Sequence, residues 1–294
     1  MKNTLFLGFA LLLTACGAFA QEHKDTTGIF SLKNFQLQNT FDESGKKPSP
    51  AQFQFTLPDG KAKSWLIDAG LAYKFAQSAT FTSKVLVEFH KNTLIDKTQE
   101  NLSAGYSGQW LQKADHWQQL ITAGAKYVHD WKDSTHSLAV TGNYTLFKAD
   151  QGFRVNAPGY LADDAFTYLL TPYIGFEYQQ IIQSKASTQT GTIFRGLYNV
   201  SGAFAVNKHN PDPVNNAPHK LIEASLDYTG RDAFTNQTGN GENGTHLFKA
   251  GLSFYIVDQE STQVSLGVTY NDGSNPLQGL KPQKFWQLTV NIQL

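Results

Sequence analysis

Trp286-Gln287-Leu288-Thr289-Val290-Asn291-Ile292-Gln293-Leu294 closes the chain. Apolar residues take every second position, and amides and a hydroxyl take the others. A strict period of two gives a strand with one apolar and one polar face. The segment before it repeats the pattern, with Val264, Leu266, Val268 and Tyr270 alternating with Ser265, Gly267, Thr269 and Asn271. Working backwards, similar segments fall near 246–257, 221–230, 192–206, 166–182, 136–148, 118–129, 102–111, 80–90 and 64–75. A further strand is expected upstream, at 29–41 or at 51–57, since both alternate. If both were strands the count would be odd, which is unusual for a single-chain barrel. No later segment carries a useful 3.6-residue apolar repeat. Pro172 falls inside a predicted strand, where it costs a ladder hydrogen bond unless the backbone departs from regularity.

The composition suits strands with a wet interior. Aromatics make up 13% and charged residues 16%, and the mean hydropathy is negative. A chain that is polar on average yet apolar at alternate positions fits a β-barrel with a polar lumen better than a helical membrane protein. A soluble β-sandwich built from the same residues is the competing arrangement. The 24 basic and 24 acidic residues balance, so no basic face for nucleic acid is expected.

Met1-Lys2-Asn3 precedes an apolar run from Leu5 to Leu13. That run is too short for a transmembrane helix and reads as a secretory signal. Ala18-Phe19-Ala20 is a small-x-small cleavage site that would leave Gln21 first. Leu13-Thr14-Ala15-Cys16-Gly17 resembles a lipobox that would leave a lipidated Cys16. Cys16 is the only cysteine, so no disulfide or cysteine metal site is expected in the Gln21 form. The expected organisation is a cleaved signal at 1–20 and one domain at 21–294, with 21–50 an N-terminal extension or the first strand.

The signal, the strand series and the alternating last strand resemble the outer-membrane β-barrel proteins of Gram-negative bacteria. The resemblance covers the whole mature chain as a class pattern. It implies a transmembrane antiparallel up-and-down β-barrel of about 12 strands, set in outer-membrane lipid. It also implies a last strand that the barrel-assembly machinery reads. In that class the last residue is often Phe, whereas here it is Leu294. Counting back from a periplasmic end puts 259–260 and 76–78 in inner turns. The stretches 91–101, 231–244 and 271–283 become outer loops. The long connections 149–165 and 207–219 break this asymmetry, because they count as periplasmic.

Alternation assigns the faces. Trp65, Ile67, Leu71, Tyr73, Val85, Val87, Phe89, Trp110, Tyr127, Tyr144, Phe204, Phe254, Tyr270 and Trp286 point outward. Asp68, Lys74, Lys84, Glu88, Lys126, Glu177, Arg195, Glu223, Asp227, Arg231 and Lys249 take the polar phase and are the candidate pore lining. A basic side chain on the lipid face near the midplane would cost roughly 2–4 kcal/mol, which supports this phase. Opposite signs on neighbouring strands are expected to place Asp68 and Lys74 beside Lys84 and Glu88. Glu223 and Asp227 should lie between Arg195 and Lys249. Such charges either tune a channel or fill a closed lumen with cross-strand salt bridges.

An enzyme is not expected. A phospholipase-type barrel needs His and Ser two apart on one face, but Ser137 directly follows His136. His129-Asp130 and Asp133 form a weak protease-like rim pattern. His90, His129, His136 and His246 lie near outer strand ends without a ligand spacing, so no metal or cofactor is implied. Gly239, Gly241 and Gly244 lack the strand-to-helix context of a phosphate cradle. Three functions stay open. A narrow passive channel for small polar solutes predicts conductance. A non-channel barrel whose outer loops bind a ligand or partner predicts a sealed lumen. A barrel hydrolase predicts convergent His and acidic residues at the rim.

Overall fold

A computed structural model describes residues 34–38, 40, 52–56, 64–112, 117–150, 152–185, 189–208, 219–239, 243–258 and 263–293. The signal region 1–20 with both cleavage sites, most of 21–50, and Leu294 lie outside the described residues. Within them the alternating segments form strands and no α-helix. The strands are β1 (Phe35–Gln38), β2 (Gln52–Thr56), β3 (Ser64–Gln77), β4 (Phe81–Asn92), β5 (Gln99–Gln112), β6 (Gln118–Asp130) and β7 (Thr135–Phe147). There follow β8 (Gly159–Leu161), β9 (Phe166–Gln183), β10 (Gly191–Lys208), β11 (His219–Asn236), β12 (Gly244–Asp258), β13 (Gln263–Asn275) and β14 (Leu280–Gln293). A single 3-10 turn, Pro276–Gln278, joins the last two.

All fourteen strands form one antiparallel sheet in up-and-down order. Both upstream candidates are strands, and they share one edge of β3. Phe35–Gln38 lies opposite Tyr73–Gly70, and Gln52–Thr56 lies opposite Asp68–Ser64. The same happens at β9, where β7 covers one stretch of the edge and the short β8 covers another. The fourteen strands therefore fill twelve positions, and the odd count feared from the sequence does not arise. Among the described residues no ladder joins β14 to β1 or β2. The sheet is nevertheless sharply curled, because groups from distant positions meet on its inner face. Gln99 of β5 donates to the Gln278 carbonyl, and Gln278 Nε2 donates to Thr40 Oγ1 at 3.0 Å.

Pro172 pairs Val200 in the β10 ladder, but on its other edge β9 has no ladder to break. Its carbonyl accepts a bond from Thr145 Oγ1. In an antiparallel strand a residue's N and O point to the same neighbour, so the missing N–H faces the β7 side. There the β7 ladder has already ended at Ile174 and that of β8 stops at Tyr168. No bulge is needed.

The connections correct the expected loop asymmetry. At the end bearing residues 93–98, here the upper end, the predicted loops 231–244 and 271–283 are largely zipped into β11, β12, β13 and β14. Strands accordingly reach 18 residues in β9, β10 and β11, longer than the alternation suggests. The long 149–165 connection, at the lower end, folds back along β9. Its Lys148–Val155 bridge and β8 extend the sheet. Ala162, Asp163 and Asp164 there all have left-handed φ values of 51°, 51° and 67°. Asn207 holds this turn, donating through Nδ2 to the Asp164 carbonyl and to Thr167 Oγ1, each at 2.7 Å.

The burial pattern is inverted relative to a soluble sandwich. The largest fully buried side chains include Arg195, Glu88, Glu177, Asn101 and Asn199. Apolar burial is limited to small groups such as Ile95, Leu247 and Leu280 with Phe285 against them. The opposite face carries Val85, Val87, Trp110, Tyr127, Phe204, Phe254 and Trp286, all exposed. Among the described residues no second sheet covers them, whereas a sandwich core would bury these residues between two sheets.

Candidate functional site

The inner face gathers five of the eleven predicted charges into two clusters. The first is built on β9, β10 and β11. Glu177 Oε1 accepts from Arg195 Nη1 at 2.7 Å, and Oε2 accepts from Arg231 Nε at 3.0 Å. Arg195 also donates to Gln179 Oε1 at 3.0 Å, and Arg231 Nη2 donates to Asn275 Oδ1 at 3.2 Å. Glu177 is 0% and Arg195 1% exposed. Charges this deep persist only when paired and hydrogen-bonded. A forked guanidinium on each carboxylate oxygen supplies both.

The second cluster lies on β4, β5 and β6. Glu88, also 0% exposed, accepts from Lys126 Nζ at 3.2 Å, Ser103 Oγ at 3.1 Å and Thr40 Oγ1 at 3.0 Å. Thr40 lies between β1 and β2 in the chain, so the segment joining them reaches the inner face at this residue.

The remaining candidates are spread along the same face. Asp68 bonds His90. Asp227 accepts from Asn199 Nδ2 at 2.8 Å and stands in register opposite Lys249. Glu223 is lower, bonded to Lys220 and to Tyr255 Oη at 3.3 Å. Both expected strand neighbourhoods hold, β3 beside β4 and β11 between β10 and β12, while the register sets the individual partners. Lys74 stands opposite Lys84, while Glu88 stands opposite Gly70. Arg195 meets Glu177 rather than Glu223 or Asp227. Alternation fixes the face of a residue but not its partner along the strand.

The upper end is crossed by the β13–β14 connection. Asn275, Leu277 and Gln278 are buried, and they reach β11 through Arg231 and β5 through Gln99. Gly279 ends the turn with φ 64°. A Cβ there would lie 2.6 Å from Asn101 Nδ2 and 2.7 Å from Asp130 Oδ2. Glycine is thus required both for the left-handed backbone and for the close approach. Lys281 Nζ to Asp133 Oδ1, at 2.6 Å, ties the start of β14 to the β6–β7 turn. The sequence carried a signal for this loop in Asn275-Pro276 and Gly279, but turn residues do not say whether a loop points outward or in. Thr40, Ser103, Gln179 and Asn275 were missed because uncharged polar residues on the inner phase are too many to rank.

Between the β9–β11 cluster and the loop lies a cavity lined by Thr141, Tyr173, Asp227, Arg231, Lys249 and Leu277, among others.

The histidines do not gather. His129 and His136 are cross-strand partners, stacked with ring centroids 4.2 Å apart, and Trp131 stands 4.8 Å from His129. His90 is on the inner face with Asp68, and His246 stacks against Tyr228. Among the described residues no group of three or more His, Cys, Asp or Glu could hold a metal ion. Ser137 is buried and its Oγ accepts from Gln179, whereas His136 bonds Tyr127 on the other face. Asp130 Oδ1 accepts the Lys132 and Asp133 backbone N–H groups at 2.7 and 3.2 Å, an arrangement that shapes the turn.

No protein-family model matches the chain, and no curated protein matches it. A solved structure from work on the mechanism of in-meso crystallization of membrane proteins is similar over 83% of this chain and 81% of its own. The identity is 10% and the TM-score 0.37. A likeness that loose leaves function to be argued from the geometry.

Proposed function

We propose that the protein is a bacterial outer-membrane β-barrel whose lumen is a narrow, loop-restricted passage for small polar solutes. The observation that carries the reading is the inside-out sheet: a band of exposed apolar side chains on one face and ionised and amide side chains buried on the other. Lipid is the solvent that makes such an exterior favourable, and closure of the sheet is what satisfies its edges there. Twelve positions suit a barrel of moderate bore. The main strands exceed the 9–11 residues needed to cross a bilayer, so β9–β11 would stand out of it. The aromatic pairs Phe75–Tyr106 and Phe81–Trp110 toward the lower end, and Phe89–Trp131 and Tyr270–Trp286 toward the upper, fit two interfacial girdles.

The passage would be constricted at the two ion-pair clusters and at the β13–β14 turn. A second reading, a sealed barrel that acts through its surface, is favoured by the 0% exposure of Glu88 and Glu177. Planar-bilayer recording of the refolded mature protein separates the two. A restricted passage gives small discrete currents that grow when Pro276–Gly279 is shortened. Silence from both folded proteins selects the sealed barrel. A large steady current from the wild type overturns both.

A further inference from the structure

The inner-face cavity contains hydrogen-bond donors that the protein does not use. Arg231 spends Nε on Glu177 and Nη2 on Asn275, but its Nη1 is buried without an acceptor. Its side chain is 7% exposed. Lys249, lining the same cavity, makes no hydrogen bond or ion pair among the described residues. Asn271 stands in register opposite Lys249, and its Nδ2 is likewise buried with no acceptor. Leaving one buried donor unpaired costs about 1–3 kcal/mol, and more when the donor is charged. Two such donors, with the half-buried Lys249 ammonium on the strand between them, ask for a shared acceptor.

The charges agree. Arg195, Arg231 and Lys249 face Glu177 and Asp227, so one positive charge is uncompensated by the acids of this cluster. The acids are already engaged, Glu177 by two guanidinium groups and Asp227 by Asn199. Tyr173, Leu197, Leu247 and Leu277 add apolar surface to the lining beside Thr141, Asn143, Thr229 and Asn275, and burial away from bulk water strengthens a charge interaction inside. Water could satisfy single donors but would bring donors of its own. An acceptor-only anion matches three N–H groups and one excess positive charge without that conflict.

We propose that this cavity binds a small oxyanion, a carboxylate or phosphate group, at Arg231 and Lys249, with Asn271 beside it opposite Lys249 on the next strand. The proposal deepens the passage reading by naming the chemistry of its solute, and it also makes sense of the site if the lumen proves sealed.

The test is equilibrium titration calorimetry of the refolded mature protein in detergent, with inorganic phosphate, acetate and chloride as separate probes at constant ionic strength. Saturable binding of phosphate or acetate is expected, with chloride weaker. The tighter of the two oxyanions tells whether a tetrahedral or a planar group fits. Lys249→Met should weaken binding roughly tenfold to a hundredfold, and Lys249→Arg should restore most of it. Arg231 is kept intact because it also holds Glu177. Absence of saturable binding by the folded wild type, equal binding by Lys249→Met, or equal affinity for chloride overturns the site. Because this readout needs no current, loss of the oxyanion site and loss of the passage reading are separate outcomes.

Discussion

The two charge clusters on the inner face answer the same problem with different chemistry. On β9–β11 a single carboxylate takes two guanidinium groups, so each Glu177 oxygen has a charged partner. On β4–β6 the Glu88 carboxylate accepts from the Lys126 ammonium and from the hydroxyls of Ser103 and Thr40. The first is a rigid fork network drawn from three adjacent strands. The second depends on a point charge and on a residue supplied from between two short strands. Guanidinium is planar, forked and weakly hydrated, whereas ammonium is compact and strongly hydrated. The β9–β11 cluster should therefore be the less replaceable of the two.

Glu177→Gln breaks the comparison most severely. It leaves two buried guanidinium groups without a counter-charge, and breaking a buried pair costs about 3–5 kcal/mol. Urea unfolding of the refolded protein should show the largest loss in the series, and a loss no greater than for Glu88→Gln would refute the ranking. Glu88→Gln should cost about 1–3 kcal/mol, because the amide can still accept from the hydroxyls. A double-mutant cycle sharpens the contrast. Arg195→Gln and Arg231→Gln share Glu177 and should be non-additive by roughly 0.5–3 kcal/mol, while Arg195→Gln and Glu88→Gln should add within about 0.5 kcal/mol.

Gly279→Ala tests what lies above both clusters. Its Cβ would meet Asn101 and Asp130, so the turn must shift. A left-handed non-glycine residue costs about 1–2 kcal/mol by itself. Current through the variant should exceed that through the wild type, and unchanged current would show that this turn does not restrict the passage. The smallest effect is expected at Lys74, which stands opposite Lys84. Lys74→Gln should stabilise by a few tenths of a kcal/mol by removing like charges from a cross-strand pair, measurable as a higher urea midpoint.

Alternation made the strands legible, together with the face of every candidate residue. It works because the apolar outer face and the polar inner face obey opposite solvation rules, so a charge on the wrong phase is costly. Register was not legible, which is why Lys74 was expected near Glu88 and is found opposite Lys84. Pairing depends on turn lengths and bulges, such as the shift between Lys74 and Ala76, and neither leaves a mark in a period of two. The β13–β14 turn was misread for a related reason. Its residues, Pro276 to Gly279, carry the same turn signals whether the loop stands in water or folds onto Asn101 and Asp130. The sharing of one edge by β1 and β2 was also hidden, since each segment alternates in its own right.

That shared edge settles a question of delivery. With two short strands occupying one place, the sheet has an even number of positions. Phe35 lies beside Tyr73 and Gln293 beside Gln263, so the chain enters and leaves the sheet at the same, lower end. On the proposed reading, a barrel inserted from that side need push only the six upper connections through the bilayer. Five of these span at most seven residues between strand ends, and the sixth is the Pro276–Gly279 turn. Parity thus reduces translocation to a set of hairpin tips, none of them carrying a folded domain.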